Sequence, residues 1–157
     1  MARSAWRVRD TDPVSNHDVS HELRDRLRRL ARHLPAFELP GFRFGSWVPS
    51  RPREDGVIVM GWYEPGPEAE AFLVDARAMI TPFDWPAWAS DPEGQALLGH
   101  PEAVASASAD DLRKLLTVYV RSERFGDGSL EAAFDSGMLT AIVRRAAVIA
   151  AGRDTRG

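Results

Sequence analysis

Four cations, Arg113, Lys114, Arg121 and Arg124, recur at helical spacing in the last third of this 157-residue chain. On a helix they fall within roughly 100° of one another, opposite a stripe of leucines. Guanidinium groups present planar pairs of donors that match carboxylate and phosphate oxygens. The loop Gly126-Asp127-Gly128 follows at once. If it folds back beside this face, the amides of Gly126 and Gly128 can join Arg113, Arg121 and Arg124 in holding an anion. A competing reading needs no ligand. A helix buried on one side is polar on the other, and Glu123 and the acidic middle of the chain can pair these arginines internally.

A second group is the run Pro82-Phe83-Asp84-Trp85-Pro86-Ala87-Trp88. Indole faces beside a carboxylate can line a pocket for a flat or cationic ligand, which makes Asp84, Trp85 and Trp88 pocket candidates, with Trp62 and Tyr63 as further contributors. Core packing of the rings and helix capping by Asp84 explain the same residues without a ligand. His17 and His21 stand four apart, yet two ligands do not make a metal site, and no metal or cofactor is implied. Arg24, Arg26, Arg28, Arg29 and Arg32 spread around the whole polar arc of their helix. That suits solvation better than a groove-sized nucleic-acid stripe. Asp110 and Asp111 point about 100° apart on a helix, so they cannot share a substrate proton, and they favour a helix N-terminus instead. The chain has no phosphate loop of Walker type, no G-x-S-x-G elbow and no HExxH.

Composition narrows the function classes. There is no cysteine, which removes disulfides, thiolate metal sites and a cysteine nucleophile together and fits a reducing, cytoplasmic setting. No stretch approaches the roughly 18 apolar residues of a membrane span. The net charge of −3 conceals segregation. Between Glu54 and Asp111 there are twelve acids and one base, Arg77, whereas both flanks carry net positive charge. Lys114 is the sole lysine among twenty basic residues.

These groups must be positioned by helices. Leu23, Leu27, Leu30 and Leu34 predict a helix over 20–34, stopped by Pro35. Residues 35–56 read as a Pro- and Gly-rich loop pinned by Phe37, Phe42, Phe44 and Trp47. Val57 to Tyr63 has strand composition but no convincing partner strand. Pro67 opens a helix with an apolar face to Ile80. Ser108 and Asp111 form a near capping box at the head of a helix that turns Leu112, Leu115, Leu116 and Tyr119 inward. Residues 103–109 before it read as a connector. Residues 130–134 form a short helix, Gly137 a left-handed cap, and Leu139, Ile142, Val143 and Ala146 the inner face of the last helix. The expected fold is all-α or mainly α: a compact bundle of about five helices with at most a short peripheral strand or hairpin. Residues 1–19 read as a flexible arm, 20–151 as a single helical domain and 152–157 as a frayed tail.

Some of these residues also form a pattern. Pro82-Phe83-Asp84-Trp85 with Trp88, Leu112-Arg113-Lys114-Leu115-Leu116, Arg121-Ser122-Glu123-Arg124-Phe125, Gly128, Leu130, Gly137 and Ile142-Val143-Arg144-Arg145 together resemble domain of unknown function 6508. The resemblance covers about residues 20–147, with 113–145 its specific part, while the stretch 49–67 departs from the pattern. It implies bacterial origin and a compact domain, and it brings no activity, cofactor or catalytic residue with it. The residues themselves suggest a non-enzymatic binding or protein-interaction module with a basic anion-binding surface, its partner an acidic protein surface or a small anion. The alternatives are an enzyme acting on a small anionic or nucleotide substrate between the Phe83–Trp88 run and the arginine helix, and a weak nucleic-acid binder.

Overall fold

The computed structural model describes residues 19–125 and 128–152. Helix α1, His21–Ala31, is capped by the Ser20 side chain, which accepts from the Leu23 amide at 3.2 Å. It ends earlier than its leucine spacing predicts. The chain turns at Arg32 and His33, and a one-turn helix α2, Leu34–Phe37, carries Pro35 in its first turn. Pro35 therefore starts a helix instead of stopping one: proline lacks only an amide that the first turn leaves unpaired anyway.

The stretch expected to be a loop contains strands. β1 (Gly45–Val48) pairs antiparallel with β4 (Trp62–Pro65), and β2 (Arg51–Pro52) pairs with β3 (Ile58–Val59). The register from Gly45↔Pro65 to Pro52↔Ile58 advances in step along both arms, so the two ladders form one hairpin interrupted at Pro49-Ser50 and Met60-Gly61. The missing partner of the 57–63 segment thus lay in the Pro- and Gly-rich stretch, and the segment itself is broken into parts of β3 and β4. Trp47, Val57, Ile58, Met60 and Trp62 stay exposed on this hairpin. At its base the ring of Phe37 meets those of Phe42, Phe44, Phe72 and Phe134 at centroid separations of 5.2 to 6.3 Å. These five phenyl rings fix the loop and hairpin to the helices.

Helix α3, Pro67–Arg77, buries Ala69, Phe72, Leu73 and Ala76. Its C-terminal side is held by two arginines from other helices. Arg26 donates to the Ala78 carbonyl at 3.0 Å and Arg113 to that of Met79 at 3.3 Å. Three short helices follow, α4 (Trp85–Ser90), α5 (Pro92–Leu97) and α6 (Pro101–Val104), each with proline in its first turn. The last enters the region expected to be a connector.

Helix α7, Ala109–Ser122, opens with a complete capping box: the Asp111 amide donates to the Ser108 hydroxyl at 3.1 Å, and the Ser108 amide to the Asp111 carboxylate at 3.0 Å. Leu112, Leu115 and Leu116 are fully buried, whereas Tyr119 is only half-buried. A single 3₁₀ turn, Glu123–Phe125, continues it. Helices α8 (Ser129–Asp135) and α9 (Met138–Ala150) are joined through Gly137, whose φ of 85° lies in the left-handed region that a β-carbon disfavours. α9 runs through the middle of the fold and packs on α1, α2, α6, α7 and α8. Ile142 and Val143 on it expose no surface. Truncating a buried isoleucine of this kind to alanine costs about 2–5 kcal/mol. Arg145, also buried, donates to the Ala107 carbonyl at 2.7 Å and ties α9 to the segment before α7.

The fold is mainly α, as the helical periodicities predict, with small antiparallel strand pairs at one side. Among the described residues there are nine α-helical segments, and four of the short ones, α2, α4, α5 and α6, each carry a proline in the first turn. No helix among the described residues is long and apolar enough to cross a membrane.

Candidate functional site

The ends of α3 and α7 meet beside the hairpin. The last turn of α3 supplies Arg77, and the end of α7 with its 3₁₀ turn supplies Arg121 and Arg124. Together they line a cavity of about 730 Å³ whose other walls include Phe44, Leu73, Ile80 and Leu130. A second cavity, of about 360 Å³, is walled by Thr81, Pro82, Phe83, Trp85 and Thr117, and by the same Arg121 and Arg124. Among the described residues no ion pair engages Arg77, Arg121 or Arg124; surface arginines such as Arg29, Arg32, Arg43 and Arg51 also hold none, but these three are the ones that line a common cavity. Arg121 is half-buried and Arg77 and Arg124 are exposed at the cavity rim, where an anionic ligand would gain charge-assisted hydrogen bonds from cations that hold no ion pair.

The one carboxylate lining the larger cavity, Glu123, is turned to another task. Its two oxygens accept from the amides of Gly128 at 3.1 Å and Leu130 at 2.8 Å, which caps the start of α8. The hydroxyl of Tyr63 is buried and has no hydrogen-bond partner. Its pKa is pushed up to about 12, first by burial and then by the negative charges of Glu131, Asp135 and Glu123. The phenol is therefore neutral at physiological pH and is no proton acceptor there.

The four-cation face read from the sequence divides. Arg121 and Arg124 come together at both cavities, while Arg113 binds the Met79 carbonyl, and Lys114 sits 3.3 Å from Asp110 and 6.0 Å above the Trp88 ring. Sharing a face is not sharing a ligand: Arg113 and Arg121 are eight residues apart, roughly 12 Å along the axis. Gly128 is also placed differently from the anion loop expected. Its amide is taken by Glu123, its φ is 93°, and a β-carbon there would lie 3.0 Å from the Trp47 ring. Gly126 lies outside the described residues.

The aromatic run divides too. Asp84 caps α4, its carboxylate accepting from the Ala87 amide at 3.2 Å. Trp88 is buried, edge-on to Phe83 at 6.1 Å, whereas Trp85 is half-buried and faces the smaller cavity. Trp62 stays exposed on the hairpin and lines neither cavity, while Tyr63 reaches the larger one. Of the paired histidines, His17 lies outside the described residues, and His21 is exposed, 3.7 Å from Asp25. No group of three or more metal-ligand side chains occurs among the described residues.

Arg77 is the site residue that sequence reasoning passed over. Its signal is the isolation of one base in an otherwise acidic stretch, at the end of a helix whose apolar face was readable. The cavity walls Phe44 and Leu130 carried no such signal.

The profile of a family of unknown function, DUF6508, matches residues 22–152. The chain belongs to this family. The DUF6508 match takes in every helix from α1 to α9 apart from the first residue of α1, the whole hairpin, and all residues of both cavities. Neither curated proteins nor solved structures contain a match to the chain.

Proposed function

We propose that this protein is a non-enzymatic binding module for a small organic anion, held with its charged group at Arg77, Arg121 and Arg124 and its apolar body in the larger cavity. The observation that carries the reading is the trio of arginines free of ion pairs among the described residues, beside an apolar concavity. A volume of about 730 Å³ is within the range of small-molecule sites. A concave site lined by Phe44, Leu73 and Ile80 also favours a small molecule over an acidic protein surface, which would meet the arginines from outside and leave the cavity unfilled.

Binding fits the lining better than catalysis does. Both oxygens of Glu123 accept backbone amides, and Tyr63 is protonated at neutral pH. At the smaller cavity the Thr117 hydroxyl donates to the Arg113 carbonyl at 2.7 Å and accepts from the Thr81 amide at 3.2 Å. These groups hold structure in place, and acid–base catalysis needs a group free to take a proton.

The test is thermal unfolding with and without phenyl phosphate and benzoate. At a ligand concentration of about one hundred times Kd, stabilisation is about 2.7 kcal/mol, a rise of roughly 5–10 °C for a chain of this size. The double variant Arg121→Ala/Arg124→Ala is expected to unfold near the native temperature without ligand and to lose that rise. An absence of shift with either anion, or an equal shift in the variant, contradicts the reading.

A further inference from the structure

Arg121 and Arg124 line both cavities, so the two cavities meet at these residues. An anion seated there has apolar space on two sides. On one side lies the larger cavity with Phe44, Leu73, Ile80 and Leu130, and on the other the smaller one with Pro82, Phe83 and Trp85. A simple carboxylate or a phosphate monoester carries one substituent and fills one side only. We infer that the ligand is a two-armed anion, a phosphodiester with an aromatic ring on one arm and an alkyl chain on the other. This inference rests on the anion-binding reading above and adds the class of ligand.

The chemistry of each wall assigns the arms. A diester keeps two non-bridging oxygens, which match the paired donors of guanidinium groups. The smaller cavity is lined by Pro82, Phe83 and Trp85 together with Thr81, Thr117 and the two arginines, a set of side chains that can take a flat ring by stacking and edge contacts. The larger cavity is twice the volume, and beside its charged residues and the rings of Phe44 and Tyr63 it offers Leu73, Ile80, Val120 and Leu130, an aliphatic surface that suits a flexible chain. Charge alone would order the ligands the other way, because a monoester is more negative than a diester at neutral pH. A diester that binds tighter therefore reports its second arm.

The experiment is calorimetric titration of the full chain at fixed ionic strength with inorganic phosphate, phenyl phosphate and hexyl phenyl phosphate. The diester is expected to bind at least roughly tenfold tighter than phenyl phosphate. Ile80→Ala, in the larger cavity, should weaken the diester several-fold and by a larger factor than it weakens phenyl phosphate. Trp85→Ala should weaken both phenyl compounds, with Phe83→Leu as the substitute if the tryptophan variant fails to fold. If phenyl phosphate binds but the diester is no tighter, or Ile80→Ala weakens the diester by no larger factor than phenyl phosphate, the two-armed ligand is overturned while the anion site stands. If none of the three probes binds, both are overturned.

Discussion

Glu123 holds two roles that point in opposite directions, which makes its removal informative. Its carboxylate accepts the amides of Gly128 and Leu130 at 3.1 and 2.8 Å, and the same negative charge lines the cavity beside Arg121 and Arg124. Replacing a capping carboxylate by alanine costs about 1–2 kcal/mol, since water recovers part of the two lost bonds. For a chain of this length that corresponds to a fall of roughly 2–8 °C in Tm. Removing one negative charge beside an anion site contributes on the order of 0.5–1 kcal/mol to anion binding, a two- to five-fold gain at low salt. Glu123→Ala should therefore be less stable and yet bind phenyl phosphate more tightly. Glu123→Gln keeps one acceptor oxygen for α8, so it should lose less stability while showing the same gain in affinity. Thermal unfolding and calorimetric titration of the two variants against the native chain measure both quantities. A native melting temperature for Glu123→Ala, or weaker phenyl phosphate binding by either variant, would exclude this double role for Glu123.

Two further predictions concern the fold. Tyr63 has a folded pKa of about 12 against the ordinary value of 10.0, so the folded protein holds this proton more tightly. The corresponding stability is complete below pH 10 and is lost as pH rises towards 12. Urea unfolding of Tyr63→Phe and the native chain at pH 8 and pH 11 should show the native chain losing more; parallel losses would contradict a buried neutral phenol. Gly137→Ala places a β-carbon at a φ of 85° and should cost about 1–2 kcal/mol, read as a lower Tm, with an unchanged Tm as the contrary result.

What was legible in the sequence was local. Ser108 and Asp111 announce the head of α7 because both capping bonds span three residues, and Gly137 announces the turn between α8 and α9 because only glycine sits easily at its φ. The inner faces of α1, α7 and α9 follow from leucine and isoleucine spacing. Pro35 was ambiguous because proline both ends helices and begins them, and which it does depends on where His33 goes: its ring lies 2.7 Å from Asp75 on α3, a partner no local pattern reveals. β1 was hidden for a similar reason. Gly45 to Val48 has little strand character of its own, and its pairing with Trp62–Pro65 is set by the phenyl cluster at the hairpin base.

The candidate site shows the same division. Helical spacing singled out Arg121 and Arg124, but it also grouped them with Arg113 and Lys114, which share the face and lie turns away along the axis. Joining Arg77 to them depends on how α3 crosses α7, a long-range packing outcome. The Gly128 amide suggested an anion loop by composition. In the folded chain Glu123, five residues earlier, is already the anion there.

If Arg121 and Arg124 hold the charged group of an organic anion, a crystal of the protein with 4-bromophenyl phosphate will show it. The phosphate is expected within hydrogen-bond distance of both guanidinium groups, with the bromine, located by anomalous scattering, inside one of the two cavities that Arg121 and Arg124 line. A phosphate bound away from Arg121 and Arg124, or no bound compound at a concentration that saturates the crystal, would contradict it.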